Sequence, residues 1–241
     1  MKSSALLVVT LASAAMLAGC DNMFGLDNFD EPNATLTGRV VYNGEPVGVR
    51  SGGVELELWQ PGYELNQKIP VHVAQDGSFS ASLFNGSYKL IPVRGNGPWV
   101  NTTDTLTVNV SGATSVDFPV TPYYTITNAS VSYNGGVNAP AGAIQATFGI
   151  NAVAGGADVE YAALYVSTTN FVDRTNRVAG VEQTPTQLGG IAGTKSLTVN
   201  LPANIRLTPS PEPRTEVQAR IGLKIAGVSE MIFTPVFEVG I

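Results

Sequence analysis

The sequence is poor in the residues from which most catalytic and metal sites are built. Its 241 residues include one cysteine and one histidine. A single cysteine cannot form an intrachain disulfide or a cysteine-based zinc site. A serine–histidine–aspartate triad would depend on His72 alone. We therefore expect no catalytic residues, no metal site, no cofactor and no enzymatic activity.

Charge is also scarce, and positive charge most of all. Charged residues make up 13% of the chain, and 13 Lys and Arg stand against 19 Asp and Glu, for a net charge of −6. A nucleic-acid partner would require a positive surface that neutralises several phosphates, so none is expected. Beyond the N-terminal segment, no stretch has a sustained apolar stripe of helical period, which indicates an all-β protein.

The first 19 residues have the pattern of a lipoprotein signal peptide. A short positive start precedes the apolar run Ala5–Leu17, which is shorter than the roughly 20 residues of a membrane-spanning helix. The run leads into Leu17–Cys20 (LAGC), which resembles a bacterial lipobox, in which the cysteine is lipidated. We expect Cys20 to carry acyl chains that anchor the mature protein to a membrane. The alternative is an ordinary signal peptide with a chance cysteine.

Residues 20–32 predict an acidic tether between the anchor and the folded chain. After Cys20, this segment (DNMFGLDNFDEP) has four carboxylates and too few apolar residues to bury much surface.

From residue 33 onward, apolar and polar residues alternate with a period of two, which is typical of half-buried strands. In Val54–Trp59, valine and leucine alternate with glutamate and tryptophan. Asp76-Gly77 and Asn85-Gly86 predict hairpin turns, and Ser115–Val120 predicts the last strand of this half. About seven short strands at such spacing favour a β-sandwich over residues 33–121.

The alternating pattern restarts after Pro122, which predicts a second β-sandwich of the immunoglobulin or fibronectin type III kind over residues 122–241. Two long polar connections, Thr168–Lys195 and Pro202–Thr215, separate its strands. The candidate strands are Thr125–Tyr133, Ala143–Asn151, Glu160–Ser167, Ser196–Leu201, Glu216–Ile225 and Met231–Val239.

Several motifs in both halves resemble a known family. Gly38–Val47 (GRVVYNGEPV), Asp76–Phe79 (DGSF) and Leu83–Tyr88 (LFNGSY) occur in this order and resemble the carboxypeptidase regulatory-like, or transthyretin-like, β-sandwich. With the lipobox, Val120–Tyr123 (VTPY) at the joint and the segment Leu164–Val172, the chain resembles a Bacteroidetes lipoprotein family of unknown function. Members of that family are often encoded beside starch-utilisation-type (Sus-like) outer-membrane proteins that take up glycans.

The resemblance implies a lipid-anchored outer-membrane protein at the cell surface. Its implied partners are the membrane, an oligo- or polysaccharide, and Sus-like uptake proteins. The leading interpretation is a non-enzymatic lipoprotein that helps to capture glycan. The alternative is a fimbrial or adhesin-type structural subunit, for which Arg39 or Arg50 could be the site of a processing cut. A hydrolase is disfavoured because no nucleophile and base, or carboxylate pair, is marked by the sequence.

Three aromatic residues are the candidate glycan-binding residues. Trp59 lies on the polar face of its strand, where an exposed indole could stack on a sugar ring and donate its N–H to a hydroxyl. Tyr63 follows in the same turn, and Trp99 lies in a loop rich in glycine and proline. The alternatives are that Trp59 covers the end of the sandwich and that Trp99 pins its loop to the core.

Overall fold

The computed structural model describes residues 31–62, 67–135, 142–205 and 215–241, and these residues form strands, turns and loops without a helix. Accordingly, none of these described ranges contains a helix long and apolar enough to cross a membrane. Residues 33–241 form one compact unit. The expected signal peptide, Cys20 and most of the expected tether lie outside the described residues.

The first domain is a sandwich whose nine strands are hydrogen-bonded into one connected sheet that encloses an apolar core. Alternate residues of its strands point inward, so that Leu36, Leu56 and Tyr88 are almost completely buried. The strands are β1 Ala34–Tyr42, β2 Glu45–Pro46, β3 Val54–Trp59, β4 Lys68–Val73, β5 Ser78–Leu83, β6 Gly86–Pro92, β7 Leu106–Val110, β8 Ala113–Ser115 and β9 Phe118–Pro119. Seven of them follow one another in the hydrogen-bonded order β2-β1-β5-β4-β3-β6-β7, in which β2 is a short edge strand. The strands β8 and β9 pair in parallel with β1.

The second domain is a sandwich of two sheets. The strands are β10 Tyr124–Asn134, β11 Ala143–Ala152, β12 Val159–Ser167, β13 Ala179–Gln183, β14 Lys195–Asn200, β15 Glu216–Ile225, β16 Ile232–Phe233 and β17 Phe237–Gly240. One sheet has the order β10-β11-β14, and the other has the order β13-β12-β15-β16, with β17 also paired to β15. The all-β fold of two tandem sandwiches predicted from the sequence is thus confirmed.

One of the two turn predictions is confirmed, and several other local predictions differ from the structure. The Asp76-Gly77 turn is confirmed, since it joins the antiparallel strands β4 and β5 with Gly77 at a φ of +85°. Asn85-Gly86 is not a hairpin turn, because β5 and β6 do not pair in the described sheet. Instead, Asn85 accepts a hydrogen bond from the Gly112 N–H. The connection Thr168–Lys195 contains the unpredicted edge strand β13, and Ser115–Val120 and Met231–Val239 are each interrupted.

The two domains meet along a surface that we call the domain seam, which is formed by Gly48, Val49, Arg50, Gln75, Gly95 and Asn96 of the first domain and by Asn170, Arg220, Ser229, Glu230 and Phe233 of the second. Gly48 forms an isolated β-bridge with Phe233, whose N–H donates to the Gly48 carbonyl. Arg50 makes a two-point ion pair with Glu230, the shorter N···O distance being 2.7 Å. One cluster of buried apolar side chains runs through both domains. The sandwiches are therefore joined by backbone, ionic and apolar contacts.

Candidate functional site

Trp59 lies on the outer face of the first sheet, at the end of β3. Its strand buries Val54, Leu56 and Leu58 completely and leaves the alternate side chains half-buried. Lys68 on β4 and Lys89 on β6 stand opposite Trp59 in the strand register. The indole is thus part of a polar sheet face, flanked by two exposed lysine positions.

A charged network fixes the orientation of the Trp59 ring. The indole N–H donates to Glu57 Oε2 at 3.1 Å, and Lys68 Nζ donates to Glu57 Oε1 at 2.7 Å. The hydrogen bond from Lys68, with a smaller effect from the indole N–H, lowers the pKa of Glu57. The indole N–H is therefore already engaged, which corrects the expectation that it is free for a sugar hydroxyl. Trp59 is half-buried, so its ring is what remains for a ligand.

Trp99 is an anchor and not an exposed platform. Its side chain is 4% exposed and belongs to the buried core. Trp99 forms a β-bridge with Pro122 at the domain joint, and Gly97 packs directly on the indole, where any Cβ would clash with the ring. The proposed glycan-binding role of Trp99 is corrected accordingly. A buried ring stabilises this Gly- and Pro-rich loop because the loop has few other apolar side chains to bury.

Two further polar side chains of the described residues, Asn101 in the loop of Trp99 and His72 on β4, form no hydrogen bond with Trp59. Tyr63 lies outside the described residues. Asn101 accepts a hydrogen bond from the Gly95 N–H at 2.6 Å, so that it braces its own loop. His72 is exposed and lies opposite Glu55 on β3. Within the described ranges, no group of three or more His, Cys, Asp or Glu residues could hold a metal ion.

Arg220 on β15 is the most unusual polar residue of the domain seam, because it is only 1% exposed. Its Nε donates to the Thr234 carbonyl at 2.8 Å, Nη1 to the Val49 carbonyl at 3.1 Å and Nη2 to the Gln75 carbonyl at 3.0 Å. The guanidinium lies 4.5 Å from the centre of the Phe233 ring. Burial lowers the pKa of Arg220 to about 10, so that it remains charged at neutral pH.

Beside Arg220 lies a cavity of about 480 Å³, which we call the seam cavity. Its polar lining is Glu45, Gln75, Asp76 and Arg220, and its apolar lining includes Pro46 and Val236. Gly48 also lines it, and a Cβ there would clash with Phe233 and Arg220. Cavities between domains are common places for small-molecule sites.

A second polar cluster covers the outer face of the β12–β15 sheet. Tyr165 donates its hydroxyl to Glu182 at 2.7 Å, and Arg174 pairs with the same carboxylate at 3.0 Å. Burial raises the pKa of Tyr165 far above its usual value. Arg177 lies 5.4 Å from the centre of the Tyr165 ring. The polar groups of this cluster bond one another, so the cluster holds the loop after β12 against the sheet.

The alternation of Glu216–Ile225 predicts that one face of this strand is apolar, formed by Val217, Ala219, Ile221, Leu223 and Ile225. In the structure Gln218 and Arg220 on the opposite face are buried as well, and Arg220 donates to the Val49 and Gln75 carbonyls of the first domain. The seam cavity was therefore missed by sequence reasoning. The signal that could have indicated it was an arginine in a long apolar strand, followed two residues later by glycine.

Comparisons with known proteins place the chain in a family. The family description "Protein of unknown function (DUF3823) N-terminal domain" matches residues 34–121, and "Domain of unknown function (DUF3823_C)" matches residues 124–238. A comparison with curated proteins found no match.

Crystal structures of similar proteins agree with this result. A DUF3823 family protein from Bacteroides ovatus is 36% identical, covers 86% of this chain and 98% of its own, and has a TM-score of 0.75. One from Parabacteroides merdae is 35% identical, with coverages of 87% and 100% and a TM-score of 0.76. A "putative carbohydrate binding protein" from Bacteroides uniformis has the same coverages, a TM-score of 0.67 and 19% identity, which supports the fold alone. The chain belongs to the DUF3823 family.

Proposed function

We propose that this protein is a non-enzymatic lipoprotein, anchored through Cys20 at the surface of the outer membrane, that binds glycan for a Sus-like uptake system. The name of the Bacteroides uniformis structure supports testing carbohydrates first. The lipobox resemblance at Leu17–Cys20 supports the anchor.

The observation that carries the proposal is the half-exposed indole of Trp59. An aromatic ring is a good surface for the C–H face of a sugar, and Glu57 holds this ring in one orientation through the indole N–H. A ring fixed before binding loses less conformational entropy when a ligand arrives. Lys68, whose pKa is raised mainly by its hydrogen bond with Glu57, adds N–H donors beside the ring.

One ring of this kind supports weak binding. If a sugar covers about 100 Å² of apolar surface, the gain is roughly 2.5 kcal/mol at about 25 cal/mol per Å², before association costs. A single contact would then bind no tighter than about millimolar. Many copies tethered on one surface can still retain a polymer, because the second and later contacts form at high effective concentration.

The ligand test is retention of the purified mature protein in native gels that contain soluble polysaccharides such as starch, xylan, mannan or β-glucan. We expect Trp59→Ala to reduce retention and Trp59→Phe, which preserves a ring, to reduce it less. His72→Ala is the matched control for a change on the same sheet face, because His72 is exposed and lies opposite Glu55, away from Trp59. Equal retention of wild type and Trp59→Ala in every gel that retards the wild type would refute the role of Trp59.

A fluorescence measurement reports on the same ring directly. The chain has two tryptophans, so Trp99→Phe leaves Trp59 as the single emitter. We expect its emission to shift when a retained polysaccharide is added, because a sugar displaces water from the indole. An unchanged spectrum at saturating polysaccharide would place the contact elsewhere.

The anchor is tested by Cys20→Ser. We expect wild-type protein to fractionate with the outer membrane and to incorporate labelled fatty acid, and Cys20→Ser to do neither. Protease treatment of intact cells then tests surface exposure. A wild-type protein that is soluble would refute the anchor, and one that resists protease on intact cells but not on lysed cells would refute the outward orientation.

A further inference from the structure

We propose that the seam cavity is a second ligand site, separate from Trp59, which binds one neutral pyranose ring through hydroxyl contacts to Asp76 and Glu45. The choice of a sugar as ligand rests on the proposed function. The location rests on the cavity itself, whose volume of about 480 Å³ lies within the range of about 300–1,000 Å³ found for small-molecule sites.

Asp76 offers one carboxylate oxygen to a ligand. Its Oδ1 accepts hydrogen bonds from the Ser78 N–H at 3.0 Å and the Ser78 hydroxyl at 2.7 Å. Its Oδ2 has no hydrogen-bond partner among the described residues. The bonds from Ser78, with a smaller contribution from the charge of Arg220, lower the pKa of Asp76. The carboxylate is therefore held in place and ionised, with one oxygen available to accept a hydroxyl proton.

Glu45 supplies a second acceptor. It lies on the short edge strand β2 and is exposed, and its carboxylate forms no hydrogen bond or ion pair with the part of the chain that the structure describes. An ionised carboxylate accepts a stronger hydrogen bond from a hydroxyl than a neutral acceptor does. Two such groups lining one cavity suit a ligand with several adjacent hydroxyls.

The charges of the lining favour a neutral ligand over an acidic one. Arg220 contributes one positive charge, but its donors are largely occupied by the carbonyls of Val49, Gln75 and Thr234. Glu45 and Asp76 contribute two negative charges, so that the lining has a net negative charge. A uronic acid would place a third carboxylate among them, which like-charge repulsion disfavours.

The apolar lining matches the C–H faces of a sugar ring. Pro46 and Val236 line the cavity between the polar groups. Nearby, Gln75 donates its side-chain N–H to the Asn170 carbonyl at 2.6 Å. That bond anchors the loop in which the next residue, Phe171, is 54% exposed. A large exposed aromatic side chain on a loop tied to the cavity lining is a further surface for a sugar.

The test uses the isotope-labelled mature protein and four neutral probes: the methyl glycosides of glucose, mannose, galactose and xylose. We expect at least one probe to shift the backbone amide signals of Gly48, Gln75 and Gly77 in a saturable manner. The methyl glycoside of glucuronic acid is the acidic probe, and we expect its affinity to be about tenfold lower than that of the corresponding neutral probe. Shifts confined to the indole N–H of Trp59, or no shifts with any probe, would overturn the proposal, as would tighter binding of the glucuronide.

Two substitutions test the carboxylates while preserving the fold. Asp76→Asn keeps an oxygen for Ser78 and an Asn-Gly turn that suits the hairpin, and Glu45→Gln changes an exposed edge. We expect each to weaken probe binding by about tenfold, the effect of losing a hydrogen bond to a charged group. The control is Asp158→Asn, since Asp158 is exposed in the connection before β12. Unchanged affinity in both cavity variants would overturn the proposal.

The two proposals fail separately. If polysaccharide gels retain the protein in a Trp59-dependent manner while the cavity amides do not respond, the cavity is refuted and the proposed function stands. If the cavity amides respond while no polysaccharide retains the protein, the cavity stands and capture of polymeric glycan is refuted.

Discussion

Replacement of Arg220 by methionine tests whether this residue ties the two domains together. Methionine has a similar length and no charge, so that Arg220→Met removes the hydrogen bonds with little change in volume. The carbonyls of Val49 and Thr234 lose the Arg220 donor, whereas the Gln75 carbonyl still accepts the Val49 N–H at 3.2 Å.

The expected loss of stability is a balance of opposing effects. Each buried carbonyl left without a donor costs about 1–3 kcal/mol, and loss of the contact between the guanidinium and the Phe233 ring costs about 2 kcal/mol. Against these losses, the pKa of Arg220 is about 10 in the folded protein and 12.5 ordinarily. That difference corresponds to roughly 3 kcal/mol that the folded state spends on keeping the group charged and buried. The net destabilisation is about 3 kcal/mol.

The assay is equilibrium unfolding in urea, together with calorimetry. For a chain of this size, about 3 kcal/mol lowers the Tm by roughly 6–12 °C. We also expect the single unfolding transition of the wild type to broaden or split in Arg220→Met, because the residue bonds groups of both domains. Arg94→Met is the matched control, since Arg94 is exposed and bonds none of the described residues. A stability of Arg220→Met equal to or above that of wild type would refute the reasoning.

Further predictions follow from burial and titration. Trp99→Ala should lower the free energy of unfolding by about 3–5 kcal/mol, as for other large buried aromatics, and Trp59→Ala by less than about 1 kcal/mol; urea titrations that show equal losses would contradict this difference. Tyr165→Phe should cost about 2 kcal/mol at pH 7, because it removes the hydrogen bond to Glu182. Burial raises the pKa of Tyr165 in the folded protein, so just above pH 10 only the unfolded chain releases this proton. The wild type therefore loses stability as the pH rises through this range, and the difference in the free energy of unfolding between wild type and Tyr165→Phe becomes smaller. An advantage that stays constant between pH 9 and 11 would contradict the assignment. Finally, the fragment Thr35–Val120 should fold alone with dispersed amide signals, because it has its own core; a collapsed spectrum would indicate that the domain seam is required for folding.

The strands could be predicted where burial differs between the two sides of the chain. In Val54–Trp59 alternate residues have opposite environments, so the pattern of side chains alone indicates a strand and its inner face. The strand β13, Ala179–Gln183, could not be predicted in this way. It is a short edge strand with no fully buried residue, and its pairing with β12 supplies its structure.

Local signals also failed where partners are distant in sequence. Asn85-Gly86 is a strong hairpin signal, yet the strands on either side pair elsewhere. The strands β8 and β9 pair in parallel with β1, about 78 residues earlier in the chain. Such pairing joins strands that are far apart in the sequence, and a turn dipeptide specifies only the pairing of the strands next to it.

The amino-acid pattern by itself determined the all-β class, the two tandem sandwiches and the position of Trp59 on an outer face, because each depends on a period of two and on turns that neighbouring residues specify. Only the tertiary structure decided that Trp99 and Arg220 are buried. Trp99 lies in a loop that looks exposed, and Arg220 lies on the polar side of an amphipathic strand. Both are buried because residues far away in the sequence pack over them, and burial of that kind is a property of the assembled domains.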